Sequence, residues 1–456
     1  MTDSQTTPRH LAVFALLAVL VLALPLMMGN RTSLTLTSSG LVLVFGALLV
    51  ALTAFMSARS TSALPSPRPG WWIFAAVLSF WVVLQVMPFE PLARALGPYP
   101  DVLWQGTSQP GQWSPNPNAT LRGWVVFVAL MTVAWTTAKL PGKYRDLLWL
   151  AVAASALFQA LYGLTSHAAG SETIFGIWPR NNLEFVHGSF SNRNLFAGYL
   201  ALTWPLVVSL WWRRSMPGIK RLPFELRVAG SVISGAVIGA ALLGSASRLG
   251  SAAGLAGMLI GLVLWTRYRS RLSRAAIWPM YLTAFGALVA ATWYGLTPLA
   301  ERLVATDGEE SRLRVFAAMI NDLPAQWWLS GVGLGGFEAV FKQVQPGDIS
   351  GWYDYAHNDL LQWLLEMGVV GAGLLAAAAV ALWRNARLNP ETIPLYAGLC
   401  AQALIALGDF SWHIPATQIL LAMYIGVLVA PKRRLKRESG RKEASRSGAN
   451  VQMIST

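Results

Sequence analysis

The sequence predicts an all-α polytopic membrane protein with about twelve transmembrane helices. Three observations lead there. Hydrophobic residues make up 54% of the 456 positions before the 40 glycines are counted, while charged residues are only 12%, about half the share usual in soluble domains. Apolar runs long enough to cross a hydrocarbon core of about 30 Å recur along nearly the whole chain. A water-soluble globular enzyme is thereby excluded. The single cysteine, Cys400, lies in an apolar stretch, so the chain forms neither an intrachain disulfide nor a cysteine metal cluster.

Twelve runs are expected, at 11–28, 36–57, 71–88, 121–138, 146–164, 191–212, 228–244, 249–266, 276–296, 358–383, 392–408 and 415–430. The first has no small-residue cleavage site and is read as a retained helix, not a signal peptide. Orientation follows from the basic residues, because retained positive charge marks the cytoplasmic side. With the N-terminus inside, 25 of the 35 lysines and arginines fall inside, and 14 of the 21 acids fall outside. Both termini are therefore expected in the cytoplasm. The net charge of +14 is thus a topology signal, and no nucleic-acid partner is implied.

Residues 1–430 form one transmembrane domain in this reading, and 431–456 is a basic, disordered cytoplasmic tail beside anionic lipid. Three outer segments are long. Segment 89–120, with Trp104 and Trp113 among prolines, is a candidate for stacking a sugar, and 165–190 is the second. The third, 297–357, lies between helices nine and ten and is the expected seat of chemistry. Within it, 309–322 reads as an amphipathic helix with Leu313, Phe316, Ala317 and Ile320 on its apolar face. The glycines at 331, 333, 335 and 336 lack the strand-then-helix setting of a nucleotide fingerprint and read as a flexible turn. Gly250, Gly254, Gly257 and Gly261 have the spacing of close helix packing.

Polar residues at the outer ends of membrane helices are informative because placing them there is unfavourable unless they pair or function. Four clusters stand out: Arg193 with Asn192 and Asn194, Ser245 to Arg248, Arg312 with Arg314, and His357-Asn358-Asp359. Three of them open helices whose N-termini face outward. Free N–H groups, the helix dipole and arginines together suit a phosphate or diphosphate. His357 is the candidate general base for a hydroxyl nucleophile. Asn358, Gln362 and Glu366, spaced by four, form a polar stripe running into the membrane, and Asp409 near His413 is placed to pair with an outer arginine. No paired metal-ligand spacing occurs among the five histidines, so a metal-independent reaction is expected.

These residues resemble the O-antigen ligase and polymerase superfamily of bacterial envelope glycosyltransferases. The resemblance rests on Phe190-Ser-Asn-Arg-Asn-Leu-Phe-Ala-Gly-Tyr199, Ser247-Arg248, Arg312 followed by Pro324 and the 331–337 turn, His357-Asn-Asp-Leu-Leu-Gln362 with Glu366 and Gly368, and Asp409-Phe-Ser-Trp-His-Ile-Pro415. Together they cover about 190–415. The resemblance implies a fold of the second glycosyltransferase-C type with its active site at the periplasmic face. It implies transfer of a glycan from an undecaprenyl-diphosphate carrier to an acceptor hydroxyl, lipid A core for a ligase or another lipid-linked glycan for a polymerase, with no cofactor. Arg248 and Arg312 would bind the diphosphate, Arg193 and Arg314 would support it, and His357 would activate the acceptor. Asn194, Asn358, Gln362, Glu366 and Asp409 would support the site. Leu249, where the family commonly has glycine, and Phe316, where tryptophan is frequent, depart from the pattern. A transporter of the same lipid-linked glycan is the alternative from another class. The polar clusters gather at one face and the halves show no repeat, which favours the enzyme.

Overall fold

The structure is a computed structural model that describes residues 8–27, 40–49, 51, 69–96, 112–180, 183–213, 215–268, 307–347, 349, 351–384 and 386–430. In chain order the helices are α1 (Pro8–Leu26), α2 (Gly40–Leu49), α3 (Pro69–Val86), α4 (Glu90–Leu96), α5 (Pro117–Lys139) and α6 (Gly142–Ala168). A two-residue hairpin pairs β1 (Thr173–Ile174) with β2 (Trp178–Pro179). Then come α7 (Arg193–Leu210), α8 (Pro217–Arg221), α9 (Phe224–Gly244), α10 (Arg248–Tyr268), α11 (Asp307–Asp322), α12 (Ala325–Ser330), α13 (Phe337–Val344), α14 (Asp359–Arg384), α15 (Ile393–Ile405), a 3-10 turn (Ser411–His413) and α16 (Pro415–Val429).

Eleven of the twelve expected runs coincide with a described helix. The run at 276–296 and the tail 431–456 lie outside the described residues. Among the described residues five helices, α5, α6, α9, α10 and α14, are long and apolar enough to cross a membrane by length and composition. Large apolar side chains point outward from the bundle, among them Ile73, Phe80 and Val83 on α3, Ile233 on α9 and Leu259 on α10. Exposed apolar surface of this extent is what a helix facing lipid presents. The chain is an all-α polytopic membrane protein.

The centre of the bundle is α7, of whose 18 residues 15 are buried. It is apolar on every side because it packs against α6, α9, α10 and α15 at once. Small residues permit the close approach: a Cβ on Gly250 would lie 2.5 Å from Ala197 Cβ, and one on Gly257 3.0 Å from the Ala397 carbonyl. The glycine spacing of α10 is thus a packing seam. At one end of the bundle, remote from the outer loops in sequence, Arg145 forms a forked pair with Glu391 (2.5 and 3.1 Å) and the buried Arg213 meets Asp146 at 2.7 Å. These pairs tie α6 to the ends of α7 and α15.

The segments that connect the long helices depart from expectation in three places. First, α11 buries Val315, Ala318, Met319 and Leu323, not the anticipated face; Leu313 and Ile320 are 63% and 60% exposed. The helix has two apolar stripes about a third of a turn apart. The one turned inward meets Trp327, Phe337, Val340 and Phe341 in one cluster. Second, the glycine turn is a docked element and not a flexible connection. Helix α14 breaks at Gly368 (φ 59°, ψ −155°), and the turn lies in the break, where Val332 N and Gly333 N donate to the carbonyls of Leu365 and Glu366, both at 2.9 Å. Gln85 Nε2 also donates to the Glu366 carbonyl and Trp81 Nε1 to that of Met367. Irregular backbone at membrane depth is tolerated where protein satisfies its freed carbonyls in this way. Third, Trp113 is 1% exposed and donates to the Gly331 carbonyl at 2.7 Å. It therefore clamps the turn and offers no face to a sugar. Trp104 lies outside the described residues.

Candidate functional site

Three helix N-termini meet at one end of the bundle. The start of α7 is capped by Asn192, whose Oδ1 accepts from Asn194 N at 2.8 Å, and the Arg193 guanidinium lies 4.0 Å above the Phe185 ring. The start of α10 follows a tight turn in which Ala246 takes φ 48°, and Ser247 Oγ accepts from Gly250 N at 3.3 Å, so that Arg248 is the first helical residue. Asn358 caps α14 by accepting from Leu361 N at 2.9 Å. Such side-chain acceptors satisfy the orphan amides of a first turn.

The connection from α15 to α16 joins all three. A Cβ on Gly198 of α7 would lie 3.2 Å from Ser411 Oγ, and one on Gly408 would lie 3.0 Å from Leu249 of α10. Leu249, the departure noted beside Arg248, thus fills the space over Gly408. From α14, Asn358 Nδ2 donates to the Leu407 carbonyl at 3.0 Å and Asp359 N to the Asp409 carbonyl at 3.2 Å.

Onto this junction α11 brings Arg312, whose Nη1 donates to the Gly408 carbonyl at 3.0 Å and whose Nη2 lies 3.8 Å from Asp409 Oδ2. The other oxygen of Asp409 lies 3.8 Å from His357 Nδ1. Asp409 is 3% exposed, and its carboxylate stands between an arginine and a histidine, close to both and at hydrogen-bond distance from neither. His357 takes φ 55°, a left-handed conformation unfavourable for a non-glycine residue and held by its surroundings. Ala356 N before it donates to Gln362 Oε1 (2.9 Å), and Gln362 Nε2 donates to the buried Glu366 Oε1 (2.9 Å), which also faces Phe337 N (3.4 Å). The polar stripe of α14 is therefore a relay from the helix break to His357. The ring turns Nδ1 toward Asp409 at 3.8 Å and Nε2 away from that carboxylate.

Of the residues singled out in the sequence, Arg312, His357, Asn358, Gln362, Glu366 and Asp409 form one connected group. Arg193, Asn194 and Arg248 stand at the starts of the two helices packed against it. Arg314 is exposed on α11. Among the described residues no group of three or more His, Cys, Asp or Glu side chains could hold a metal ion.

Two residues at the junction were not singled out as site residues. Asp359, 1% exposed, meets His413 Nδ1 at 2.6 Å. Burial opposes protonation of His413, but the hydrogen bond and charge of Asp359, with Glu366 beyond, outweigh it and raise its pKa above the usual histidine value. Their signal in the sequence is an acid and a histidine at the facing ends of two apolar runs.

Residues 233–376, roughly a third of the chain, match the family model described as O-antigen ligase. The matched segment contains Arg248, Arg312, Arg314, His357, Asn358, Gln362 and Glu366, while Arg193, Asn194 and Asp409 lie outside it. No curated protein and no solved structure matches the chain. The polar junction of this bundle of apolar helices thus lies largely inside the segment that is similar to the O-antigen ligase family.

Proposed function

We propose that the chain is an O-antigen ligase-type glycosyltransferase of the bacterial inner membrane. It moves a glycan from undecaprenyl diphosphate to a hydroxyl of lipid A core at the periplasmic face, in a twelve-span fold of the second glycosyltransferase-C type with both termini cytoplasmic. The observation that carries this reading is the Asp409 carboxylate set 3.8 Å from both Arg312 and His357, at the meeting point of three helix N-termini. A fixed cation and a histidine base beside each other match the two demands of the reaction: charge stabilisation on a departing diphosphate and removal of a proton from a hydroxyl.

In this mechanism Arg248 and Arg312 hold the diphosphate, supported by Arg193, Arg314 and the helix N-termini. His357 takes the acceptor proton, and the acceptor oxygen bonds to the anomeric carbon as the bond to the diphosphate breaks. The diphosphate leaves with the electron pair, and attack from the opposite face inverts the centre. Arginines supply the charge in this scheme, so the reading includes no metal. Asp409 turns Nδ1 of His357 toward itself and leaves Nε2 to act. Glu366 and Gln362 keep the strained backbone at His357 in place.

The test is a transfer assay with the purified full chain, a carrier-linked glycan and defined acceptors. Product on lipid A core supports the ligase, and lengthening of carrier-linked repeats identifies a polymerase. Movement of the carrier-linked glycan across vesicles with no new glycosidic bond overturns both.

A further inference from the structure

Two histidine–aspartate pairs cross between the same two stretches of chain. His357 and Asp359 precede and open α14, Asp409 and His413 flank the connection into α16, and each histidine faces the aspartate of the other stretch. The pair His357–Asp409 belongs to the proposed transfer site, whereas His413–Asp359 has no part in it so far. Yet it is the tighter of the two, at 2.6 Å against 3.8 Å.

Asp359 does not perform the usual duty of an acid at a helix start. Asn358 caps α14, and both oxygens of Asp359 turn instead to the connection: Oδ2 accepts from Trp412 N at 2.9 Å and Oδ1 meets His413 Nδ1. Its own backbone N–H donates to the Asp409 carbonyl. One residue therefore fixes the connection at 409, 412 and 413. Between those points Phe410 N donates to Asp409 Oδ1 at 2.9 Å, which sets the rotation of that carboxylate. The aromatic rings repeat the linkage. His413 lies against Tyr355 (4.9 Å), Tyr355 stacks on Phe410 (4.8 Å, 11°), and Phe410 meets His357 edge-on (4.8 Å, 86°).

We propose that Asp359 and His413 are positioning residues for glycan transfer, pinning the 409–413 connection so that the Asp409 carboxylate stands between Arg312 and His357. The proposal rests on the transfer reading of the site. Asp409 is held at charge-contact distance from two groups, so a displacement of about 1 Å assigns it to one and removes it from the other. Misplacement on that scale costs on the order of a hundredfold in rate. Packing alone does not account for the buried Asp359–His413 pair, because an apolar pair of similar size packs at least as well.

The test measures kcat and the donor KM of the full chain reconstituted in lipid, with a carrier-linked glycan and an acceptor. His413→Ala is expected to lower kcat by on the order of a hundredfold while donor KM moves by less than about threefold, because the arginines still hold the diphosphate. His413→Asn keeps a donor for Asp359 but takes up no proton, and is expected to recover kcat to within about tenfold of wild type. Asp359→Asn, which keeps an acceptor for Trp412 N, serves if His413→Ala does not fold; it is expected to lose about tenfold in kcat at unchanged donor KM. Unchanged kcat in His413→Ala or Asp359→Asn overturns the positioning role, and so does a His413→Asn variant as inactive as His413→Ala, which would make the imidazole itself the working group. A wild-type chain that transfers nothing overturns the transfer reading and this inference with it. An active wild type with an unaltered His413→Ala overturns the inference alone.

Discussion

Arg180 is 8% exposed and forms no ion pair with a carboxylate among the described residues; its donors go to His187 Nε2, the Ser166 carbonyl and hydroxyl, and the carbonyls of Ser171 and Phe185. The arrangement requires a neutral His187, and burial, then the Arg180 charge, push the His187 pKa down to about 4. An unfolded histidine titrates near 6.5. Between those values the open loop binds a proton that the closed loop does not, so stability is full above about pH 6.5 and falls as pH drops toward 4, by up to roughly 3 kcal/mol. Hydrogen exchange across 171–190, corrected for its intrinsic pH dependence, should therefore lose protection over that window. His187→Gln, which retains an acceptor, should remove the pH dependence, and protection that stays flat in wild type would contradict the assignment. At this scale the sequence was informative about single residues and about the pairing of Asp409 with an arginine, but silent about the second histidine–aspartate pair. His357 and Asp409 are legible because each is polar at the end of an apolar run, and Arg312 because it is a basic residue in an acid-rich segment. The Asp359–His413 pair spans 54 positions and exists only because α14 and α16 start side by side.

Among elements, the glycine turn and the break in α14 form one unit. A Cβ on Gly331, already at φ 80°, would lie 2.6 Å from the Glu366 carbonyl and 2.8 Å from Gly368 N. Both atoms are backbone and cannot step aside. Gly331→Ala is expected to cost about 2–3 kcal/mol and to lower the melting temperature and transfer together. Gly347, with open space around its Cβ position, gives the control, and equal melting temperatures for Gly331→Ala and Gly347→Ala would contradict the docking. The glycine spacing was visible in the sequence, but its meaning was not. Three glycines at alternate positions suit a flexible turn and a left-handed backbone equally, and only the broken helix some 35 residues later decides between them. The buried face of α11 was illegible for a similar reason. Two apolar stripes were available, and the choice belongs to Trp327 and Phe337 on neighbouring elements.

For the whole molecule, apolar run length was the strongest signal, since lipid demands satisfied helices and leaves few alternatives. Eleven runs became helices, and the N-termini of α7, α10 and α14 meet at one end of the bundle. Orientation is the part that charge alone supports. Cys400 is the sole cysteine, so a Cys400→Ser background permits single-site labelling. A cysteine at Trp352, 62% exposed in the outer segment, should react with an impermeant maleimide in intact cells. A cysteine at the exposed Lys220 should react only after permeabilisation, and the reverse pattern would invert the topology and move the site to the cytoplasm.

The central claim is that Arg312 binds the leaving diphosphate while His357 takes the acceptor proton. Steady-state transfer by the full chain tests it most directly when His357→Ala and Arg312→Ala are compared at saturating and limiting donor. His357→Ala should lower kcat by about 10²–10⁴-fold with donor KM nearly unchanged, and Arg312→Ala should depress kcat/KM for the donor by at least a similar factor. Wild-type kcat in His357→Ala, or undiminished donor use in Arg312→Ala, would contradict the account.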